Sequence, residues 1–137
     1  RTFGGKIHKG KTAELVSDPV NENGVCIVTV KAGATPPLLH STMNMDTKKY
    51  SKMKFEMKIP KGAKVGAGRA VLRHTIWKGD DILFQPIADG QWHKYVIDCA
   101  KSDAWSQWSS SGRIGIALPV PAKGEIKIAL KTISLDK

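Results

Sequence analysis

The sequence predicts a single all-β domain, built as a sandwich or barrel of short antiparallel strands. Apolar residues recur with a period of two along most of the chain, which is typical of strands with one buried face. Thirteen Gly and seven Pro separate these runs and supply turns, and no segment has the spacing of an amphipathic helix. At 137 residues the chain is long enough for one substantial core and too short for two ordinary domains. We therefore expect residues 1–137 to form one domain.

Three strands are predicted in the first half of the chain. Val25–Val30 is an unbroken β-branched run that follows an Asn-Gly turn, as expected for a buried strand. Leu38–Met45 follows a Pro-Pro pair and has a similar apolar character. In Met53–Ile59 every second residue is apolar and the residues between are charged. That alternation predicts a strand with one face on the core and one in solvent.

The segment Arg69–Trp77 alternates between an apolar face and a polar face. The apolar face is predicted to hold Ala70, Leu72, His74 and Ile76, and the polar face Arg69, Arg73, Thr75 and Trp77. Further strands are predicted at residues 82–87, 95–99, 114–120 and 126–135. The total of roughly eight or nine strands fits a sandwich or barrel.

The chain has a net charge of +10, with 18 Lys and 4 Arg against 12 acidic residues. A field of this sign attracts polyanions, although an ordinary solvated surface accounts for it equally well. The sequence has neither the Arg-rich clusters nor the modules of nucleic-acid readers, and no apolar stretch approaches the ~18–20 residues of a membrane span. We therefore expect no nucleic-acid and no membrane partner. If the charge is functional, it favours an acidic polysaccharide.

The sequence begins at Arg1 inside a segment that has the character of folded structure, with no initiating Met and no signal peptide before it. We therefore expect a processed or excised part of a larger protein.

Cys26 and Cys99 each lie in an apolar strand-like run, with no CxxC motif and no His at ligand spacing. Two buried free thiols are favoured over a disulfide, and a metal site would need more ligands than these two residues offer.

An ordered series of motifs in the second half resembles a known family. The series is Asp89-Gly-Gln-Trp-His-Lys-Tyr-Val-Ile-Asp98, then Trp105, Gly112-Arg-Ile-Gly-Ile, Gly124-Glu-Ile-Lys-Ile and Ile133-Ser-Leu135. It resembles the galactose-binding-like β-jelly-roll carbohydrate-binding modules that are attached to bacterial glycoside hydrolases and polysaccharide lyases. By pattern the resemblance covers residues 24–135, and its motifs are most specific over 89–135.

The resemblance implies a jelly roll, that is, a β-sandwich of two antiparallel sheets. It also implies a non-catalytic module that targets a secreted polysaccharide-degrading enzyme to its polymer. The expected partners are a polysaccharide or oligosaccharide and the catalytic domain of the parent enzyme, and the expected location is extracellular. Taken together with the charge, the resemblance favours an anionic polymer, either sulfated or uronic.

Two features depart from the family pattern. Lys131 stands where the last strand of the family commonly carries an Asp that helps to hold a structural calcium. A Lys would repel the cation, so calcium is not favoured and no cofactor is predicted. Gly115, Ala117 and Pro119 replace polar residues that the family carries on the strand of Arg113, so the ligand face is expected to differ.

A sugar site combines exposed aromatic side chains with directed hydrogen-bonding groups. The four Trp all lie within residues 77 to 108. Trp77 and Trp108 are the candidates for stacking on a sugar, whereas Trp92 and Trp105 are predicted to be structural. Packing in the core or a loop is an equally good account of any one of them.

The polar row of the 69–77 strand is the second candidate for the site. Arg69 and Arg73 carry planar guanidinium groups, which suit a carboxylate or a sulfate. Gln85 and His40 fall on strands that could lie beside this row, and Lys54–Lys58 would extend it into a basic platform if its strand were the neighbour. A solvated face without a ligand is the alternative.

No catalytic residue is predicted, because the sequence has no nucleophile elbow, HExxH or P-loop motif. Asp80 and Asp81 form the one adjacent acidic pair, and turn chemistry explains it. His74 shares an apolar face and is expected in the core. A binding module is thus favoured over an enzyme. Two alternatives stay open: a structural or adhesion β-sandwich without a sugar site, and a small polysaccharide lyase with a His or Tyr base.

Overall fold

A computed structural model of the chain contains two antiparallel β-sheets that share one core, in agreement with the prediction. The structure describes residues 2–3, 6–8, 20–22, 25–33, 36, 38–44, 47–73, 79–108 and 111–136. For some strand residues, including Cys26, His40 and Arg113, it describes the backbone alone.

Eleven strands and two short helical turns make up the described elements. In chain order they are β1 (Thr2–Phe3), β2 (Lys6–His8), β3 (Val20–Glu22), β4 (Val25–Lys31), β5 (Leu38–Asn44), β6 (Lys52–Lys58), β7 (Gly68–Arg73), β8 (Gly79–Phe84), β9 (Trp92–Asp98), a 3-10 turn (Cys99–Lys101), the one-turn helix α1 (Asp103–Ser106), β10 (Ser111–Ala117) and β11 (Glu125–Asp136).

The first sheet has the strand order β3-β4-β11-β6-β9, and β1 pairs with the second half of β11. The second sheet has the order β2-β5-β10-β7-β8. The chain crosses from one sheet to the other eight times among the described strands, after β1, β2, β4, β5, β6, β8, β9 and β10. Strands that follow one another in sequence therefore often lie in different sheets, as in a jelly roll.

This topology overturns one expectation about the basic residues. The predicted platform joining Lys54–Lys58 to the row of Arg69 and Arg73 is wrong, because β6 and β7 belong to different sheets. The neighbours of β7 are β10 and β8, and those of β6 are β11 and β9. The arginines and these lysines therefore lie on opposite outer faces of the sandwich.

The core forms where the apolar positions of both sheets face inward. The largest fully buried side chains are Met53, Met57, Ile59, Leu72, Ile114, Ile116, Leu118, Ile128, Val28 and Val30. They come from both sheets and follow an alternation of buried positions along the strands, which Ile59 and Leu118 continue by one residue beyond the ends of β6 and β10. Burial of each such side chain is worth about 1.5–3 kcal/mol.

Three aromatic rings tie the two sheets together at one end of the core. Phe55 and Tyr95 stack nearly parallel, with ring centroids 5.1 Å apart, and the Phe84 ring lies 5.3 Å from each of them. The Tyr95 hydroxyl accepts a hydrogen bond from the backbone N–H of Ile87 at 3.0 Å. The segment after β8 is thereby fixed to the first sheet.

Trp105 anchors the helical segment between β9 and β10, which confirms its predicted structural role. Its ring is buried, and its indole N–H donates to the carbonyls of Thr47 at 3.1 Å and Tyr50 at 3.0 Å. A loop distant in sequence is thereby held against α1. Trp108 packs beside it, with ring centroids 5.5 Å apart.

Asp80 fixes the same segment to β8. Its carboxylate accepts hydrogen bonds from the Ser102 hydroxyl at 2.9 Å and from the Ala104 backbone N–H at 3.2 Å, at the N-terminus of α1. The hydrogen bond from Ser102 is the main reason why the pKa of Asp80 lies below its usual value. The adjacent acid Asp81 faces elsewhere, toward the arginines of β7.

The first part of the Asp89–Asp98 motif serves the fold. Asp89 accepts a hydrogen bond from the Gln91 backbone N–H at 2.9 Å, and His93 Nε2 lies 2.8 Å from its second carboxylate oxygen. Gly90 adopts φ +76°, which favours glycine, and its N–H donates to the carbonyl of Ile59. The motif therefore builds the tight turn that leads into β9.

Candidate functional site

The predicted arginine row lies on the outer face of the second sheet. Arg69, Val71 and Arg73 alternate along β7 with the core residues Ala70 and Leu72. We call the outer surface of β7, with the residues opposite it on β8 and β10, the arginine face.

Asp81 orients both arginines of this face. It stands opposite Val71 in the register of β7 and β8 and is therefore diagonal to Arg69 and to Arg73. Arg73 Nη1 lies 2.8 Å from Asp81 Oδ1, and Arg69 Nη1 lies 3.3 Å from Asp81 Oδ2. Arg73 Nη1 also donates to the carbonyl of Asp80 at 3.0 Å. One carboxylate thus holds two guanidinium groups, and one positive charge is left in excess.

The neighbouring strand β10 carries small residues beside the arginines. Gly115 stands opposite Val71, and Ala117 stands opposite Arg69. Both are buried, whereas the Arg69 side chain is 42% exposed and that of Arg73 is 28% exposed. The small residues at these positions therefore give a low floor beside two longer polar side chains.

The other predicted site residues are distributed unevenly around this face. Gln85 is exposed and directly follows β8, where Leu83, opposite Arg69, is also exposed. The backbone of His40 on β5 is level with Gly115, two strands and roughly 10 Å from β7. The side chain of His40 and all of Trp77 lie outside the described part of the structure.

Trp108 lies in the interior and belongs to neither outer face. The residue is 8% exposed, and its ring packs on Gly112, whose Cα faces the core. An indole enclosed in this way has no open face for a sugar. We therefore leave Trp108 out of the proposed site.

A second candidate lies on the outer face of the first sheet, where sequence reasoning assigned only a structural role. A cleft of about 500 Å³ surrounds Trp92 there. We call it the tryptophan cleft; it is lined by Val25, Ile27, Lys58, Pro60, Gly90, Trp92, Lys127 and Ala129. The sequence does carry the signal for it: Tyr95 and Ile97 are core residues, so the even-numbered Trp92 must face outward in the same strand.

The described residues contain no group of three or more His, Cys, Asp and Glu side chains that could hold a metal ion. Cys99 is a free, buried thiol. No helix in the described part of the chain is long and apolar enough to cross a membrane.

No protein-family model and no curated protein matches the sequence. Several solved structures share the fold. A CBM4 carbohydrate-binding module superposes with a TM-score of 0.66 at 12% identity, over 97% of this chain and 94% of that one. A structure described for promiscuous carbohydrate-binding modules of the β-sandwich superfamily gives 0.61 at 15% identity; the alignment covers the whole of this chain and 56% of that one.

The family 11 carbohydrate-binding module of a cellulosomal cellulase, Lic26A-Cel5E of Clostridium thermocellum, gives a TM-score of 0.57 at 12% identity. The match covers 98% of this chain and 88% of that module. At such identities the likeness establishes the fold alone. The chain therefore has the β-sandwich fold found in carbohydrate-binding modules, as the resemblance of its motifs implies.

Proposed function

We propose that the chain is a non-catalytic carbohydrate-binding module whose arginine face binds an anionic polysaccharide, sulfated or uronic. The observation that carries the proposal is the pair Arg69 and Arg73, oriented by Asp81 on the outside of a fold shared with carbohydrate-binding modules.

The chemistry of the pair suits an anionic sugar. Among the described residues, both arginines donate their hydrogen bonds from Nη1. We assign the N–H groups of Nε and Nη2 to the ligand. A guanidinium fork binds a carboxylate or sulfate through paired hydrogen bonds. Because Asp81 already holds the arginines in place, binding loses less side-chain entropy than it would with free arginines.

The shared fold supports a sugar as the ligand. One structure of this fold is a family 11 module of Clostridium thermocellum in complex with a β-1,3-1,4-mixed-linked tetrasaccharide; it has a TM-score of 0.53 and 14% identity to this chain. The proposed mechanism is adsorption without bond cleavage. The module would hold a secreted catalytic domain at its polymer and raise the effective concentration of substrate.

Affinity gel electrophoresis on sulfated, uronic and neutral polysaccharides tests the proposal. We expect retardation on the anionic polymers, and a dissociation constant about tenfold higher for Arg73→Gln, because a charge-assisted hydrogen bond is worth about 1.5–3 kcal/mol. Lys31→Gln is the matched control, since it removes the same charge from an exposed position on the other sheet. Thermal unfolding of each variant checks that the fold is intact.

An equal loss in Arg73→Gln and Lys31→Gln would mean that the net charge, and not the arginine face, drives binding. Absence of binding to every glycan would overturn the proposal in favour of a structural sandwich. Release of unsaturated products from a uronate polymer would identify a lyase instead.

A further inference from the structure

The tryptophan cleft is built from one row of paired residues across the first sheet. Trp92 stands opposite Lys58, Lys58 stands opposite Ala129, and Ala129 stands opposite Ile27. Three strand spacings separate the ends of the row, about 14 Å. A surface of this length can accommodate more than one sugar ring.

Lysine side chains converge on the Trp92 ring. The ammonium of Lys131 lies 4.3 Å from the ring centroid and that of Lys58 lies 5.2 Å from it, both within cation–π range. Lys127 lines the same cleft. None of the ion pairs among the described residues includes these three lysines.

The negative charge around the cleft is smaller than the positive charge. On the described part of this face, Glu56 stands opposite Lys131 on one side and Lys94 on the other, and Glu125 stands opposite Lys31. The backbone of Glu22 stands opposite Val25, and Asp98 and Asp136 both stand opposite Lys52, farther along β6. Among the described residues that line the cleft, the charged side chains are those of Lys58 and Lys127. Its charge therefore favours an anion.

The floor of the cleft is apolar although it lies on an outer face. Val25 and Ile27 are half-buried at outward positions of β4, and Ala129 is buried between them and Lys58. Neither β-branched side chain can contribute to the core from that side of the sheet. The cleft thus joins an aromatic ring, an apolar floor and cationic groups, which is the complement of a sugar ring that carries a charge.

We propose that the tryptophan cleft is a second binding site, for one or two anionic sugar units of a sulfated or uronic chain. The sugar C–H face packs on Trp92 and the floor, and its sulfate or carboxylate is bound by Lys58, Lys127 and Lys131. The inference rests on the proposed function only in taking a saccharide as the ligand. It makes the module bivalent, with the two sites on opposite faces of the sandwich.

The charge argues against other occupants of the cleft. A second copy of this chain would bring a net charge of +10 against the same lysines. A neutral glucan would leave the ammonium groups beside Trp92 without an anionic partner. A nucleic acid would satisfy the lysines, and it is therefore included in the test.

The indole N–H resonances in a ¹⁵N-correlation spectrum report on the cleft directly. The Trp92 resonance is identified by its absence in Trp92→Phe, which keeps an aromatic ring at that position. We expect it to shift on addition of a chondroitin sulfate or oligogalacturonate hexasaccharide and to stay unchanged with cellohexaose. The shift should persist in Arg73→Gln, because the arginine face is on the other sheet.

The double variant Lys58→Gln/Lys131→Gln should raise the dissociation constant measured at Trp92 at least about fivefold at low salt. The matched control is Lys64→Gln/Lys123→Gln, which removes two lysines from a different cleft, of about 440 Å³, whose described lining residues include no aromatic side chain. That control should change the constant less than about twofold.

Several results would overturn the second site. One is an unshifted Trp92 resonance with wild-type protein that still binds through Arg73, and this result would leave the proposed function standing. Another is an equal loss in the two double variants. A third is a single-stranded oligonucleotide that shifts Trp92 as strongly as the sulfated hexasaccharide at equal salt. No binding of any glycan to either face would overturn both proposals.

Discussion

The replacement Gly112→Ala tests how closely β10 approaches Trp108 and β7. A Cβ at this position would lie 2.5 Å from a ring carbon of Trp108 and closer still to the backbone carbonyl oxygen of Arg73. The first neighbour is a buried indole and the second is a backbone atom in a paired strand, so neither can move freely. Overpacking of this kind costs about 1–3 kcal/mol, and the backbone contact places the expected loss at the upper end.

Urea unfolding followed by tryptophan fluorescence measures this loss. We expect the midpoint to fall with little change in the slope, because the surface exposed on unfolding is almost the same. Gly66→Ala is the control: a Cβ there meets nothing within 4 Å, and the N–H that donates to the Val120 carbonyl is kept. A Gly112→Ala variant within about 0.5 kcal/mol of wild type would refute the packing described for Trp108.

Three further predictions concern buried or paired polar groups. Asp80→Ala should lower the unfolding free energy at neutral pH. The Ser102 hydrogen bond lowers the pKa of Asp80, so the carboxylate stabilises the fold fully above pH ~4 and loses this effect as the pH falls through the lower pKa of the folded state. The unfolding curves of wild type and variant should therefore converge in acid. Burial raises the pKa of Cys99 to about 12, so peptide mapping after iodoacetamide treatment at pH 8 should find Cys99 unmodified until urea unfolds the chain; modification at the rate of a free thiol would contradict its burial. Tyr95→Phe should cost about 1 kcal/mol in chemical denaturation, because the Ile87 N–H loses its acceptor, and an unchanged midpoint would show that the bond contributes nothing.

Strands were predictable from the sequence, because the alternation of side chains is a local property of the backbone. Met53–Ile59 shows this best, since its apolar residues are all buried. The sheet to which each strand belongs was not predictable. Pairing joins residues far apart in sequence, such as β10 with both β5 and β7, and no local pattern specifies it. The misplaced basic platform of Lys54–Lys58 follows from that gap.

The tryptophans show the same division between local and long-range information. Trp92 was assigned to the fold because its motif opens a core strand, yet its position relative to Tyr95 already indicated the outer face. Ser and Gly residues follow Trp108 in sequence, a context that favours an exposed position. What buries it is Gly112 on the next strand, which leaves room for the indole ring, and a sequence pattern does not reveal such a contact.

The charge is also divided between the faces in a way that composition cannot show. On the arginine face, the carboxylate of Asp81 neutralises one of the two guanidinium charges and orients both groups. The net charge of this face is therefore small. In the tryptophan cleft, the lysines converge on Trp92, and no carboxylate is among the described residues that line it. Salt screens exposed charges most strongly, so binding at the cleft should weaken steeply between low and physiological salt, while binding at Arg73 should weaken less. If both faces bind one polymer, the arginine face sets the geometry of the contact, and the tryptophan cleft contributes most of the electrostatic attraction.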